Sequence, residues 1–155
     1  MYKAAVRWMV RRNIARLNSG DYRSTLAMFT PDAVLAFPGQ NSWATQFRPV
    51  ERSRDLFPTH QGRDEIEAFL RRYTDTRIHM VVDDVLVNGP PWNTRIAVRV
   101  HHWVPGPDGR DQYRNRAILF ATAAWGRIHT EEDYEDTELV AAFDARSRAA
   151  RSASR

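Results

Sequence analysis

Apolar residues recur every three or four positions near the start of the chain, at Val6, Met9, Val10, Ile14 and Leu17. This spacing predicts an amphipathic helix over residues 2–18. A shorter helix is predicted to begin after Asp21, whose side chain can cap it, and to end before Pro31. A third helical pattern runs from Ile66 to Tyr73, with acidic residues near its start and arginines near its end, as the helix dipole favours.

The second half of the chain is dominated by strand patterns separated by turn residues. Four strands are predicted, at residues 78–87, 95–104, 112–124 and 127–135. Because Gly and Pro residues lie between them, consecutive strands are expected to be joined by tight turns and to pair antiparallel. A short strand at residues 33–37 and a closing helix at residues 137–145 complete the set. The order of elements predicts an α+β fold in which a mostly antiparallel sheet packs on three helices from the N-terminal half.

The composition is that of an ordinary globular protein. With 155 residues, of which 43% are hydrophobic and 27% charged, the chain is expected to form one domain over residues 1–146. The last ten residues contain four arginines and no acid, so they account for the whole net charge of +4. Residues 147–155 are therefore expected to form a basic, disordered tail. The neutral body argues against a nucleic-acid partner, which needs a basic patch on the folded domain.

Neither a membrane partner nor a cofactor is indicated. No apolar stretch approaches the ~20 residues of a membrane span, and the charges throughout residues 1–17 do not fit a signal peptide. Because the chain has no cysteine, which is consistent with a reducing compartment, a cytoplasmic location is expected. No metal site is expected, since the adjacent His101 and His102 point to opposite faces of a strand. No glycine-rich phosphate loop is found, and no cofactor is predicted.

Residues 40–61 show no periodic pattern and contain prolines and aromatic residues, including Trp43. A segment of this length without regular structure is usually functional or mobile in a compact domain. Two interpretations are open: a surface insertion held by its aromatic residues, or a lid over a pocket. In the second interpretation Trp43 is a candidate ligand contact.

The last predicted strand carries an unusual number of acids. Alternate positions on one of its faces are His129, Glu131, Asp133 and Glu135. Two interpretations follow from the alternation of strand side chains. Either the strand is solvated and packs only Ile128 and Tyr134, or Asp133 faces a polar cavity.

Several short motifs of the chain are shared with one superfamily. They are Asp21-Tyr22, Met28-Phe29-Thr30-Pro31-Asp32-Ala33-Val34, Gly62-Arg63-Asp64-Glu65-Ile66, Trp125-Gly126-Arg127-Ile128 and Tyr134-Glu135-Asp136-Thr137. Over residues 4–143 the chain resembles the NTF2-like superfamily, in particular SnoaL-like polyketide cyclases, limonene epoxide hydrolases and ketosteroid isomerases. This resemblance implies an α+β cone, whose curved sheet wraps around the helices and leaves a mostly apolar pocket. The partner it implies is a small hydrophobic, polyketide-like or terpenoid-like molecule.

The resemblance also implies candidate catalytic residues. Ketosteroid isomerases place a basic Asp before the proline that ends the first strand, but Phe37 occupies this position and is expected to line the pocket or join the core. Asp133 matches the last-strand Asp of limonene epoxide hydrolases. Their middle-strand Arg-x-Asp motif falls at Arg99-Val100-His101, where His replaces the acid. SnoaL-like cyclases combine an Asp with a supporting His, which is compatible with Asp133, Arg99 and His101 as the catalytic set.

Strand alternation extends this set to candidate ligand contacts. Side chains expected on the same face are His129 and Glu131 on the strand of Asp133, Trp103 on the strand of Arg99, and Asn115 and Leu119 on the third strand. An Arg99 close to Asp133 would keep that carboxylate ionised while burial raises its pKa, which suits a catalytic base. Alternatively, Arg99 and Asp133 form a structural ion pair. If instead the other set of alternating side chains faces the pocket, Arg99, His101 and Asp133 face water.

The apolar residues Ile96, Val98 and Val100 share the other face of their strand. They meet either the helix layer or a second subunit, and the latter predicts a homodimer. Two functions are considered on this fold, because the fold alone decides neither. One is a SnoaL-like, cofactor-free acid–base enzyme for cyclisation, hydration, dehydration, isomerisation or epoxide opening. The other is a non-catalytic ligand-binding or accessory dimerisation module.

Overall fold

The computed structural model describes residues 1–38 and 59–153. The described helices are α1 (Tyr2–Asn18), α2 (Tyr22–Leu26), α3 (Gly62–Asp75) and α4 (Thr137–Ala153). The described strands are β1 (Phe29–Ala36), β2 (Thr59–Gln61), β3 (His79–Asn88), β4 (Thr94–Pro105), β5 (Asp111–Ala124) and β6 (Arg127–Glu135). Most of the segment predicted to be a loop or lid lies outside the described residues, and its end forms β2.

The strands form one open, mixed sheet of six strands in the order β2-β1-β6-β5-β4-β3. Every neighbouring pair is antiparallel except β1 and β6, which run parallel. The strands from β3 to β6 are joined by short turns and therefore pair in chain order. The predicted α+β fold with a mostly antiparallel sheet is confirmed, whereas β2 was not predicted.

Helices α1, α2 and α3 cover one face of the sheet, which we call the inner face; the opposite side is the outer face. The alternation of β4 decides which face is covered, because Ile96, Val98 and Val100 are 0–5% exposed whereas the intervening Arg99 is exposed. From the helix side, Ile66 of α3 is completely buried in the same core. Removing these apolar surfaces from water is the main force that joins the two layers.

Helix α4 covers the end of the inner face near Tyr113. The ring centroids of Phe143 and Tyr113 lie 4.9 Å apart, and Val140 is completely buried. The helix continues to Ala153, so its predicted end at residue 145 is wrong. Because the last turns consist largely of Ala and Arg, which are strong helix formers, the helix extends without needing further apolar contacts.

The beginning of β1 also differs from the prediction. The predicted N-cap at Asp21 is confirmed, since its carboxylate accepts a hydrogen bond from the Ser24 amide at 3.1 Å. The helix that follows is shorter than predicted, and β1 begins at Phe29. Pairing with β6 explains the earlier start, because the Ile128 amide donates a hydrogen bond to the Met28 carbonyl at 2.8 Å and Phe29 lies opposite Ile128.

The β3–β4 turn requires a glycine for both conformation and space. Gly89 has a φ of +86°, and a Cβ atom there would lie 2.1 Å from the Asn93 carbonyl oxygen. We therefore expect Gly89→Ala to lower the free energy of unfolding by more than about 2 kcal/mol, measured by chemical denaturation. The matched control is Gly109→Ala, because Gly109 has a similar φ of +77° but open space around it. Gly109→Ala should lower the free energy of unfolding by only the ~1 kcal/mol that a left-handed backbone conformation costs. Equal losses in the two variants would contradict the steric explanation.

Candidate active site

A cavity of about 100 Å³ lies between the inner face of the sheet and helices α1, α2 and α3. Its wall consists mainly of apolar side chains from both layers, such as Val6, Ile14, Phe69, Val98 and Ile128. Among the few polar groups that border it are Tyr73, Glu131 and Asp133. A mostly apolar cavity with a few convergent polar groups is typical of small-molecule sites. The volume is somewhat below the ~150 Å³ that accommodates benzene in a protein core.

Three carboxyl groups follow one another along the inner face of β6. Glu131, Asp133 and Glu135 alternate with outward-facing residues, and their partners across β5 are small or apolar. Glu131 and Asp133 border the main cavity. Asp133 and Glu135 border an adjoining space of about 30 Å³, the inner pocket, which Tyr73 and His102 also line. Asp133 therefore lies between the two spaces and contributes to both.

The inner pocket contains a hydrogen-bonded network around Tyr113. The Tyr113 hydroxyl donates to Glu135 Oε2 at 3.3 Å and accepts from Asn115 Nδ2 at 2.9 Å. His102 Nε2 lies 3.3 Å from the same hydroxyl oxygen and 3.7 Å from Glu135 Oε2. This network fixes one oxygen of Glu135 and leaves the Asp133 side chain outside it.

Three buried polar atoms beside these spaces have no hydrogen-bond partner among the described residues. They are Asp133 Oδ1, Glu135 Oε1 and the Tyr73 hydroxyl oxygen. A buried polar atom without a partner costs about 1–3 kcal/mol, and such atoms are rare in native proteins. Their concentration around one cavity indicates a place where a bound molecule would supply the missing hydrogen bonds.

The carboxyl groups of the cavity resist ionisation. Burial raises the pKa of Glu131 to about 7, and burial also raises the pKa of Glu135 to about 7 although its hydrogen bond from Tyr113 opposes the shift. The pKa of Asp133 lies well above its usual range, first because of burial and then because of the charges of Glu131 and Glu135. Burial lowers the pKa of His102 to about 4. Burial therefore favours the protonated form of Asp133 and keeps His102 uncharged at neutral pH, while the two glutamates titrate near this pH.

Four of the residues predicted to form the site lie on the walls of these spaces. Leu119 and Asp133 border both the cavity and the inner pocket. Glu131 borders the cavity, and Phe37 borders the inner pocket. The roles assigned to these residues stay predictions.

The orientation predicted for the polar residues of β4 is wrong. Arg99 aligns with Ile118 of β5, whereas it is Leu119 that aligns with Asp133. Because adjacent strand positions point to opposite faces, Arg99 lies on the outer face and the expected contact between Arg99 and Asp133 is not formed. The cause is the apolar half of β4, which packs on the helices and turns every charged side chain of the strand outward.

His101 and Trp103 lie on the outer face with Arg99. His101 Nδ1 is 2.8 Å from Asp83 Oδ1. The Trp103 ring stacks on His79 and on His101, with centroid distances of 5.7 Å and 5.9 Å. The predicted inward positions of His101 and Trp103 are therefore wrong, and the sheet separates both from the cavity.

Two other predicted contacts, His129 and Asn115, lie away from the cavity. A β-bulge shifts the register of β6, so that Ile128 lines the cavity and His129 is exposed, contrary to the prediction. Asn115 is buried on the inner face, but its amide donates to the Asp136 carbonyl at 2.9 Å, beyond the cavity wall. Trp43 lies outside the described residues.

Sequence reasoning did not identify four polar residues of the inner pocket, namely Tyr73, His102, Tyr113 and Glu135. Two of them had a usable signal. Glu135 lies two residues after Asp133 and therefore on the same face of the strand. Tyr73 places a hydroxyl group in the apolar stripe of α3, where it has to be buried. His102 and Tyr113 could be placed only once the orientation of β4 was known.

Two further features concern metal and membrane binding. Within residues 1–38 and 59–153, no three or more His, Asp or Glu side chains are grouped so that they could hold a metal ion. The helices in these ranges are too short or too polar to cross a membrane.

The helix layer, the open six-stranded sheet and the cavity between them define an NTF2-like α+β protein. The chain belongs to the SnoaL-like domain family, whose sequence model matches residues 10–130. No curated protein matches the chain.

Solved structures with the same fold match most of the chain at low sequence identity. An NTF2-like protein of unknown function from Burkholderia pseudomallei is 22% identical, with a TM-score of 0.62 and coverage of 87% of this chain and 96% of that one. A loop-truncation variant of IdmH is 18% identical, with a TM-score of 0.66 and coverage of 88% and 97%. TerC, co-crystallised with polyporic acid, is 17% identical, with a TM-score of 0.64 and coverage of 87% and 97%. At these identities the likeness shows the fold alone.

Proposed function

We propose that this protein binds a small, partly apolar molecule in the cavity and catalyses a proton-transfer reaction on it. The observation that carries the proposal is Asp133, whose Oδ1 atom is buried without a hydrogen-bond partner among the described residues at the boundary of an apolar cavity. An unpaired carboxyl group of this kind lowers stability unless a ligand completes its hydrogen bonds. Ionisable groups with strongly shifted pKa values inside a cavity are also typical of catalytic sites.

Asp133 acts as the proton donor in this proposal. The sequence suggested a catalytic base kept ionised by Arg99, but Arg99 lies on the other face of the sheet. Without that cation, burial and the neighbouring carboxylates raise the pKa of Asp133 well above its usual range and so favour its protonated form. Its O–H group can therefore donate to a carbonyl, hydroxyl or ether oxygen of the ligand.

Glu131 complements Asp133 as the proton acceptor. Its pKa of about 7 leaves a substantial ionised fraction at neutral pH, which suits a general base. An acid and a base on one face of a strand can move a proton between two atoms of a ligand or activate a water molecule. The reaction classes that fit are cyclisation, hydration, dehydration, isomerisation and epoxide opening. Each of these reactions makes or breaks bonds with the help of proton transfer and without net oxidation or reduction, so the proposal invokes no cofactor.

A homodimer with a cytoplasmic location completes the proposal. The interface cannot be the apolar face of β4 that the sequence singled out, because the helices bury it. The outer face is the alternative, since Leu86, Ile118 and Tyr134 are 63%, 39% and 42% exposed there. An antiparallel sheet with one uncovered face that carries apolar side chains is a common interface.

A second candidate function is a non-catalytic ligand-binding module on the same fold. The observation that favours it is the position of Arg99 and His101, because two of the three residues of the predicted catalytic set lie outside the cavity. In that case the carboxyl groups would only orient a ligand, and turnover would be absent.

A pair of cavity variants tests the proposed function. Ala121 lines the cavity, whereas the adjacent Thr122 points to the other side of β5. We expect benzene-sized fragments to bind the wild type and Thr122→Phe in ligand-observed NMR, and to bind Ala121→Phe at least tenfold more weakly, because the new ring fills the cavity. Equal binding by all three proteins would contradict the proposed location of the site.

Hydrogen–deuterium exchange on a bound fragment distinguishes catalysis from binding alone. If the protein is catalytic, the wild type should accelerate the exchange of the fragment's C–H protons with D₂O, and Asp133→Asn should not.

A further inference from the structure

We infer that the ligand of the cavity is a small apolar cation, a protonated amine whose ammonium group lies against Glu131 and Asp133 and whose apolar part contacts the helices. The inference rests on the proposed function and names the ligand class for the same cavity. The geometry that carries it is a row of three carboxyl groups and an unpartnered Tyr73 hydroxyl group on the walls of a mostly apolar space.

The charges around the cavity are all of one sign. Besides Glu131, the titratable groups on the walls of the cavity and inner pocket are Tyr2, Tyr73, His102, Tyr113, Asp133 and Glu135. No Lys or Arg from the described part of the chain is among them. His102 does not supply the missing positive charge, because burial keeps its imidazole neutral. Any negative charge that Glu131 acquires therefore has no counter-ion on these walls, and a bound cation would provide one.

A second observation, the unpartnered Tyr73 hydroxyl group, is independent of the carboxyl groups and is compatible with a hydrogen-bond donor on the ligand. Tyr73 is only 7% exposed, and its hydroxyl oxygen lacks a partner among the described residues. The Glu135 side chain is 3% exposed, and its Oε1 atom also lacks one. The atoms around the cavity that lack such a hydrogen-bond partner are therefore carboxyl oxygens or a hydroxyl oxygen, all of which can accept a hydrogen bond. An ammonium group has three N–H donors and no acceptor, so it complements this set better than a carbonyl or carboxylate does.

The rest of the wall indicates that the cation is apolar apart from its ammonium group. Phe69 of α3 lines the cavity from the helix layer, and Val98 and Leu119 line it from the sheet beside the carboxyl groups. The volume of about 100 Å³ is below the ~150 Å³ that accommodates benzene, so the apolar part is at most one ring. The faces of Phe69 and Tyr73 would further favour a cation through their π electrons.

The carboxyl groups carry negative charge near neutral pH. Glu131 and Glu135, each with a pKa of about 7, are partly ionised there, whereas burial and the neighbouring carboxylates favour the protonated form of Asp133. An anionic ligand would be repelled by that charge. A neutral ligand could accept the Asp133 proton but would leave the charge uncompensated.

Three probes of the same size test the inference by titration calorimetry: benzylamine, benzyl alcohol and benzoate. At pH 8 we expect the wild type to bind benzylamine at least tenfold more tightly than benzyl alcohol, and benzoate least. The preference should shrink at pH 5.5, where Glu131 is protonated. Glu131→Gln should remove most of the preference, and Glu135→Gln, which removes the other carboxyl group with a pKa of about 7, is the second variant should Glu131→Gln fail to fold. The matched control is Glu132→Gln, because Glu132 lies on the opposite face of β6 and should leave all affinities unchanged.

The outcomes separate this inference from the proposed function. If benzyl alcohol binds as tightly as benzylamine and Ala121→Phe abolishes both, the cavity binds ligands but the preference for cations is refuted. Tightest binding by benzoate refutes it as well and identifies an anion site. If Glu131→Gln keeps the tenfold preference, Glu131 is not its source and the inference falls. If no probe binds the wild type, both the inference and the proposed cavity site fail.

Discussion

Replacing Asp133 with Asn is expected to abolish proton exchange on any ligand of the cavity while leaving the fold intact. The amide keeps the shape of a protonated carboxyl group but cannot deliver its proton, and losing a general acid costs about 10²–10⁴-fold in rate. The free energy of unfolding should stay within about 1 kcal/mol or rise, because Asp133 has no ion-pair partner among the described residues and catalytic groups often reduce stability. Thermal melting and hydrogen–deuterium exchange on a bound ligand measure the two effects.

The opposite result would identify a structural role for Asp133. A loss of ~3–5 kcal/mol is the usual consequence of breaking a buried ion pair, and it would mean that a cation pairs with Asp133. Glu132→Gln is again the matched control, because it removes a carboxyl group from the other face of the same strand. This control should change neither the rate nor the melting temperature.

The stability of the protein is expected to fall by several kcal/mol as the pH rises from 5 to 8. The pKa of Glu131 and of Glu135 is raised from 4.5 to about 7, and that of Asp133 is raised well above 3.8. The folded state therefore holds more protons than the unfolded state above about pH 4.5, and the free energy of unfolding decreases as the pH rises toward 7. Each glutamate contributes on the order of 3 kcal/mol to this change.

His102 acts in the opposite direction but does not cancel this trend. Its pKa is lowered from 6.5 to about 4, so it increases stability as the pH rises between these values. Because one imidazole opposes three carboxyl groups, the net effect of raising the pH is a decrease in the free energy of unfolding. Urea denaturation at pH 5, 6, 7 and 8 measures the profile, and Glu131→Gln should flatten it. A wild-type protein that becomes more stable from pH 5 to pH 8 would contradict the account of the cavity.

Most secondary structure could be predicted from the sequence because its periodic patterns are strong. The hairpin series from β3 to β6 has clear alternation and turn residues, and its strands differ from the predicted bounds by only one residue at either end. Strand β2 could not be predicted, since its three residues are too few to show a period. The early start of β1 depends on pairing with β6, which is distant in the chain.

The site was harder to predict because two strands gave different kinds of information. On β4 the apolar set around Val98 decides the orientation, and it outweighs the resemblance that places Arg99 in the pocket. On β6 both faces are polar, so hydrophobic alternation does not show which one is covered. The inward position of Asp133 is therefore predicted mainly from the resemblance, and the bulge near His129 has no sequence signal.

The protonation state of Asp133 tests the central claim most directly. It can be measured by ¹³C NMR of the side-chain carboxyl carbon across a pH series, with assignment from the Asp133→Asn spectrum. We predict that this carbon keeps the chemical shift of a protonated carboxyl group at pH 7 and that the signals of Glu131 and Glu135 titrate close to that pH. An Asp133 signal that titrates near pH 4, as in an exposed aspartate, would contradict the proposal that Asp133 is the buried acid of this cavity.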